Sequence, residues 1–232
     1  MPLNLVPYCI FDTETGSRNP HNTQVTQLAA IMLDPRSLKI KAGGEFNCEI
    51  RAYIDDEVAI EKGLAPLEED ALRITGKTRE EIDKAQELTI VWDKFTSWVK
   101  KFNKSNNIFT APIPVGYNIN NFDLPIINRL CHQFGNVSDK DKRPNLFNAI
   151  RKVDMMDDLW MWTESDPEVK SLSMDNVRQW LGFPEESSAN AHDALQDVKD
   201  TGNLFIKFLK YYRNITKETK FENAFAKSGM YI

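Results

Sequence analysis

Cysteine is scarce in this 232-residue chain: Cys9, Cys48 and Cys131 stand far apart. An odd, scattered set excludes a disulfide framework and a zinc ribbon. A reducing, intracellular setting is the expectation, with Cys9 a buried free thiol inside an apolar, strand-like run. Long apolar runs are absent too. No stretch approaches the roughly 18 apolar residues that a membrane span needs. The start, Met-Pro-Leu-Asn-Leu-Val-Pro-Tyr, lacks a basic region followed by an apolar one, so no signal peptide is expected and a cytoplasmic location follows. The last residues, Gly-Met-Tyr-Ile, carry no cysteine for lipidation. There is no internal repeat and no low-complexity tract. Basic charge is in deficit, with a net charge of −5. That argues against broad duplex binding, which rests on neutralising phosphates, but not against holding one nucleic-acid end through metal ions.

What is present is the composition of a folded domain: 41% apolar, 10% aromatic and 27% charged residues. That balance excludes disorder. A chain of this size buries about 70% of its unfolded surface and needs no staple. The charge is uneven. Residues 55–87 hold eleven acids against five Lys or Arg, and residues 199–227 hold seven Lys or Arg against three acids. Both read as solvated helix faces, and the basic one could also steer a phosphate backbone.

Apolar patterning places strands at Leu5–Phe11 (the strand proper starting at Pro7), Gln24–Leu33 and Gly44–Ile54, with a turn over residues 34–37. Three strands without a helix between them imply an antiparallel meander. Residues 66–104 turn helical, and Leu88, Val91, Trp92, Phe95, Trp98, Val99 and Phe102 recur at three- and four-residue steps, the core face of one helix. Short strands are expected at Ile113–Tyr117 and Ile150–Met155. Pro125 sits just inside a helix start, where its missing N–H costs nothing. Residues 136–148 read as a mobile loop. A short helix is expected over Leu172–Leu181, capped by Ser173 and stopped by Gly182, and a long one over Asp193–Tyr212. Trp160 and Trp162 are expected in the core, with base stacking as the alternative. The pattern is α/β with a mixed sheet in a single domain, 1–232, whose core spans about 5–212; residues 213–232 form an extension expected to pack on that domain.

With 34 acids, placement must select the functional ones. In Phe11-Asp12-Thr13-Glu14-Thr15-Gly16, the two carboxylates lie two apart at a strand end. They share one face, with Cα atoms roughly 6.5 Å apart, close enough to hold one hard cation. Gly16 is expected to let the chain turn sharply. Asp123, in Gly116-Tyr117-Asn118-Ile119-Asn120-Asn121-Phe122-Asp123, lies where a strand gives way to a helix, among amide donors and an aromatic edge. It is expected to face solvent, so that its removal costs little stability. In His192-Asp193-Ala194-Leu195-Gln196-Asp197 the histidine and the last acid lie about 140° apart on a helix. Both reach one site if His192 sits on the loop before it. A histidine there suits a general base. Four acids from three segments and one histidine are the parts of a two-metal phosphodiesterase, with divalent cations roughly 3.5–4 Å apart. An oxygen-rich ligand set suits Mg²⁺ or Mn²⁺ over Zn²⁺.

These three segments resemble, in order, the three motifs of the DEDDh 3′–5′ exonuclease family, which includes the polymerase III epsilon proofreading subunit, ribonuclease T and oligoribonuclease. FDTETG resembles the first motif, GYNINNFD the second (Asn-x₃-Phe-Asp) and HDALQD the third (His-x₄-Asp). The intervals are 111 residues from Asp12 to Asp123 and 74 from Asp123 to Asp197. Ile74-Thr75-Gly76-Lys77-Thr78 is similar to the family's I-H-G-I-T stretch, with Thr75 in place of His and Lys77 in place of Ile. Lys170-Ser171-Leu172-Ser173 is similar to the family's segment before the third motif. GYNINNFDLP also looks like the second motif of the sister branch with Tyr, found in family B DNA polymerases, but His192 places the third motif in the His branch.

The resemblance implies a ribonuclease H-like fold: a five-stranded sheet, its first three strands antiparallel and the rest parallel, flanked by helices. It implies that Asp12, Glu14 and Asp197 bind a first Mg²⁺ or Mn²⁺, that Asp12 and Asp123 help hold a second, and that His192 takes a proton from the attacking water. Thr13 and Thr15, through their backbone, and Asn118 and Phe122 would hold the terminal sugar and base. The implied activity releases 5′-mononucleotides from the 3′ end of single-stranded or frayed DNA, free-standing or beside a polymerase partner. The same chemistry on RNA ends and a non-catalytic module binding nucleic-acid ends or a partner are the competing readings. The polymerase-like second motif favours DNA.

Overall fold

The computed structural model describes residues 5–103, 105, 107–184 and 192–220. Five strands, β1 (Tyr8–Thr15), β2 (Val25–Leu33), β3 (Ile40–Glu49), β4 (Ile113–Gly116) and β5 (Val153–Asp154), form one sheet in the order β3-β2-β1-β4-β5. The meander is as expected: β1–β2 and β2–β3 pair antiparallel. β4 and β5 then add in parallel beside β1. Eight helices are described: α1 (Asp56–Glu61), α2 (Glu69–Thr75), α3 (Arg79–Lys84), α4 (Leu88–Lys100), α5 (Asp123–Gln133), α6 (Met155–Thr163), α7 (Met174–Trp180) and α8 (Ala194–Glu218). None of them is long and apolar enough to cross a membrane.

Side-chain alternation along β1 sends successive residues to opposite faces. Cys9 and Phe11 join a cluster with Val91, Trp92, Phe95 and Trp98 of α4 and Ile126, Ile127 and Leu130 of α5. Ile10 joins a second cluster on the other face, with Val177 of α7 and Ala194, Val198, Leu204 and Phe205 of α8. Each such large apolar side chain, fully buried, contributes about 1.5–3 kcal/mol. The same parity carries forward along β1. Thr13 falls on the α5 side, and Asp12 and Glu14 on the α8 side.

Several boundaries differ from the sequence expectation, each for a local reason. β1 runs on through Thr15, so Asp12 and Glu14 lie within the strand, held by pairing with β2. β3 starts earlier and ends at Glu49. The backbone of Tyr53 is taken instead by the Gln24 side chain, which accepts its N–H at 2.7 Å and donates to its carbonyl at 3.2 Å. β5 shrinks to two residues, because Asn148 Oδ1 accepts the N–H groups of Ile150 and Arg151 in a turn and Met155 opens α6. The stretch read as a mobile loop ends in the core: Leu146 and Phe147 are buried, and Phe147 stacks on Phe11 at 5.2 Å.

Trp160 and Trp162 are not core residues; they are 57% and 52% exposed. The unexpected helix α6 buries Met155, Leu159 and Thr163 at four-residue steps, and the two indoles lie off that stripe. Trp162 meets Tyr211 of α8 edge-on at 5.1 Å. The extension continues α8 to Glu218, and Arg213 donates to the carbonyls of Pro35 and Arg36. Phe221, Phe225 and Tyr231 lie outside the described residues. Cys9 and Cys131 are buried free thiols, and Cys48, half-buried, is free as well.

Candidate active site

The site forms at the carboxyl end of β1, where β4 stops. The last β1 residue in register with β4 is Ile10. Beyond it the Thr13 N–H meets a carboxylate in place of a strand. It donates to Asp123 Oδ1 at 3.0 Å, and the Thr13 hydroxyl donates to the same oxygen at 2.6 Å. Asp123 opens α5, a first-turn acid at the positive end of the helix dipole. It is 3% exposed, not solvent-facing as its sequence position suggests. Thr13 thereby holds Asp123 in place.

On the other face, Asp12 and Glu14 meet Asp197 from the first turn of α8. The nearest ligand atoms of these three carboxylates all lie within 4.8 Å of one another. That spacing fits one divalent cation coordinated by oxygens. Asp123 is not in this group of three, although its charge is felt at Asp12. The electrostatics fit an ion as well. Burial, first, and the neighbouring carboxylates push Asp12 well above the usual carboxylate range. Burial and then Asp197 push Glu14 up to about 8, with Lys77 opposing. Burial pushes Asp123 up to about 7 against the two bonds from Thr13. Asp197 is raised by burial, while Arg178 and His192 draw it back down. Crowded buried carboxylates resist ionising together, and a divalent cation removes that cost.

His192 occupies the turn before α8, as expected, with φ +66°. The two residues after it, Asp193 and Ala194, are held by Gln27 of β2, which is fully buried. Gln27 donates to Asp193 Oδ2 at 3.0 Å and to Asn47 Oδ1 at 3.1 Å, and its own oxygen accepts from the Ala194 N–H. Asp193 in turn caps α8 by accepting from the Gln196 N–H. Thr15 turns its hydroxyl onto the Ser17 carbonyl at 2.9 Å. Asn118 adopts the left-handed conformation, φ +57°, which Asn tolerates better than most residues. The residue that holds this turn is Asp154, the N-cap of α6 and 5% exposed. It accepts from the N–H groups of Asn118 at 2.8 Å and Asn120 at 3.0 Å. Phe122 is half-buried against the first core cluster, immediately before Asp123.

Sequence reasoning missed Gln27, Asp154 and Arg178. An acid between a strand and a helix signals the cap at Asp154. Nothing local marks Gln27 or Arg178, whose partners lie far along the chain. Gly16 stands where the chain bends after β1, as expected, without a left-handed φ, and a side chain there would displace Leu67 Cδ2.

Comparison with known proteins bears on this geometry. No curated protein matches the sequence. Among solved structures, Escherichia coli exonuclease I in complex with a dT13 oligonucleotide is similar over 92% of this chain and 43% of its own, with TM-score 0.65 and 17% identity. Cell-death related nuclease 4 is similar over 90% of this chain and 65% of its own, with TM-score 0.60 and 16% identity. A moderately thermophilic exonuclease I from Methylocaldum szegediense is similar over 93% and 41%, with TM-score 0.58 and 17% identity. These likenesses show the fold, the ribonuclease H-like sheet of the exonucleases, and the chain spans under half the length of either exonuclease I. Residues 9–205 match the model of the exonuclease family RNase_T, from within β1 to the middle of α8. The chain belongs to this exonuclease family, the one its three acidic motifs resemble.

Proposed function

We propose that the protein is a metal-dependent 3′–5′ exonuclease that hydrolyses the terminal phosphodiester of single-stranded or frayed DNA and releases 5′-mononucleotides. The observation that carries the reading is the convergence of Asp12, Glu14 and Asp197, with His192 at the head of the same helix as Asp197. Asp12, Glu14 and Asp197 would hold one Mg²⁺ or Mn²⁺, and Asp12 with Asp123 would help hold a second. Bound there, divalent cations supply Lewis acidity at the phosphodiester and lower the pKa of water. His192 takes the proton of the attacking water, and its loop position lets it reach a substrate from outside the carboxylate cluster. Thr13 and Thr15, through their backbone, with Asn118 and Phe122, take the terminal sugar and base.

DNA is favoured by the polymerase-like second motif and by the exonuclease I relatives, whose structures contain oligodeoxynucleotides. A polymerase partner would show itself as faster removal of a mispaired 3′ end when the polymerase is added than by the protein alone. The acting unit is one domain over about 5–212, since both core clusters share one sheet, and the unbridged cysteines fit a reducing cytoplasm. The crowding of intact carboxylates argues against a vestigial binding module. The test is the rate on matched single-stranded DNA and RNA of one sequence. Faster shortening of DNA supports the reading. Faster shortening of RNA replaces DNA with RNA as substrate, and metal binding without cleavage of either returns the binding module.

A further inference from the structure

Arg178 of α7 is among the largest fully buried side chains in the protein, 1% exposed. An arginine is rarely buried unless its charge and its donors are met, because desolvating a guanidinium is costly. Here three nitrogens go to three different carboxylates. Nε donates to Asp200 Oδ2 at 2.9 Å, Nη1 to Asp175 Oδ1 at 3.1 Å, and Nη2 to Asp197 Oδ1. Asp200 is itself 2% exposed, and its other oxygen accepts from the Gln196 amide at 2.9 Å. The guanidinium is a rigid planar fork, so holding Nε on the buried Asp200 sets the direction in which Nη2 points, with the exposed Asp175 adding little. Asp197 and Asp200 stand three apart on α8 and therefore share a face, which lets one fork span both.

We infer that Arg178, aligned by Asp200, is a positioning residue for the cation site: it occupies Oδ1 of Asp197 and thereby leaves Oδ2 as the single oxygen that this residue presents to a metal ion beside Asp12 and Glu14. The inference rests on the proposed metal role of those three acids. It explains why an arginine is buried behind an acidic cluster: an unclamped Asp197 could rotate about its side-chain torsions or chelate through both oxygens. The Arg178 charge also lies close enough to lower Asp12 and Asp197 against their crowding. A lysine in its place would keep the charge without the fork and could not hold Asp197 and Asp200 together.

The test is Mn²⁺ affinity without substrate, by electron paramagnetic resonance titration, for wild type, Arg178→Lys and Asp175→Asn. Loss of an outer hydrogen-bond partner of a ligand typically weakens metal binding by about 10–100-fold. Arg178→Lys, with an unchanged circular dichroism spectrum and a cooperative melt, is expected to lose affinity in that range, and its nuclease rate to recover as Mn²⁺ is raised. Asp175, more than half exposed, is expected to be replaceable without effect. Wild-type affinity in a folded Arg178→Lys protein would overturn the inference while leaving the site reading intact. Failure of wild type to bind Mn²⁺ would remove both. Should the variant not fold, a crystal of the wild type with Mn²⁺ decides. Asp197 bound through one oxygen, with Arg178 on the other, is the expected arrangement. Both oxygens on the ion, with Arg178 withdrawn, overturns it.

Discussion

Thr13 gives both of its donors, backbone N–H and hydroxyl, to one oxygen of Asp123, at 3.0 and 2.6 Å. The two residues are 110 apart in sequence, and the pairing ties the first motif to the second across the end of the sheet. It also gives Asp123 a structural role beside its proposed chemical one. Replacing Asp123 with Ala leaves a buried N–H without a partner, which costs about 1–3 kcal/mol. Asp123→Asn, which keeps an acceptor oxygen, is expected to melt closer to wild type and still lose cleavage. Full activity in Asp123→Asn would remove Asp123 from the metal site. Thr13→Val, lacking the hydroxyl, is expected to lose about 1.5–3 kcal/mol of stability, the range for hydrogen bonds to charged groups; chemical denaturation reads both.

In the proposed reaction His192 acts as a base and not as a metal ligand. His192→Ala is expected to slow cleavage by about 10²–10⁴, the usual share of a general base. Mn²⁺ binding to Asp12, Glu14 and Asp197 should be unchanged, measured by titration without substrate. A wild-type rate for the variant removes His192 from the proton transfer. A loss of metal affinity of the same size makes it a ligand instead.

Stability should depend on pH in a direction set by the crowded acids. Glu14 is pushed from 4.5 up to about 8 and Asp123 from 3.8 up to about 7, with Asp12 and Asp197 raised as well. For an acid whose folded pKa exceeds its unfolded one, the unfolded chain releases its proton first. The associated stability is therefore complete below the unfolded value and is lost as pH rises through the folded value. Chelator-treated protein is expected to melt at falling temperature from about pH 5 to about pH 8, with Mg²⁺ or Mn²⁺ restoring more at the upper end, where the cation replaces no protons. A melting temperature that rises steadily across this window would contradict the burial of these groups.

Gly116 ends β4 directly before the Asn118 turn. A Cβ there would collide with Ile119 Cγ2 and press on the Phe11 carbonyl at 3.1 Å. Ile119 is fully buried, so it has little room to move. Gly116→Ala is expected to cost about 1–3 kcal/mol, the range for overpacking. It should also lower the affinity for a 3′ end more than the affinity for Mn²⁺, since the turn moves and the three clustered acids do not.

The legible parts of the fold were those carried by local periodicity. The α4 stripe, the capped helix after Ser173 and the alternation in β1 follow from three-, four- and two-residue repeats, and the parity of β1 already separates Asp12 and Glu14 from Thr13. The five acid and histidine positions were legible as ordered motifs. What escaped was non-local. The exposure of Trp160 and Trp162 depends on which face of α6 meets the sheet. The end of β3 depends on Gln24 capturing the backbone of Tyr53. Gln27 and Arg178 are ordinary residues in sequence whose partners are supplied only by folding, and Asp154, marked locally as a cap, gains its Asn118 and Asn120 partners the same way.

The most direct test of the account is the product pattern from 5′-labelled single-stranded DNA, for wild type and Asp12→Asn, with Mn²⁺ and with chelator. The expected result is a ladder shortening one nucleotide at a time from the 3′ end, present only for wild type with metal and releasing 5′-mononucleotides. A ladder that persists in chelator or in Asp12→Asn, or internal cuts in place of stepwise shortening, would contradict it.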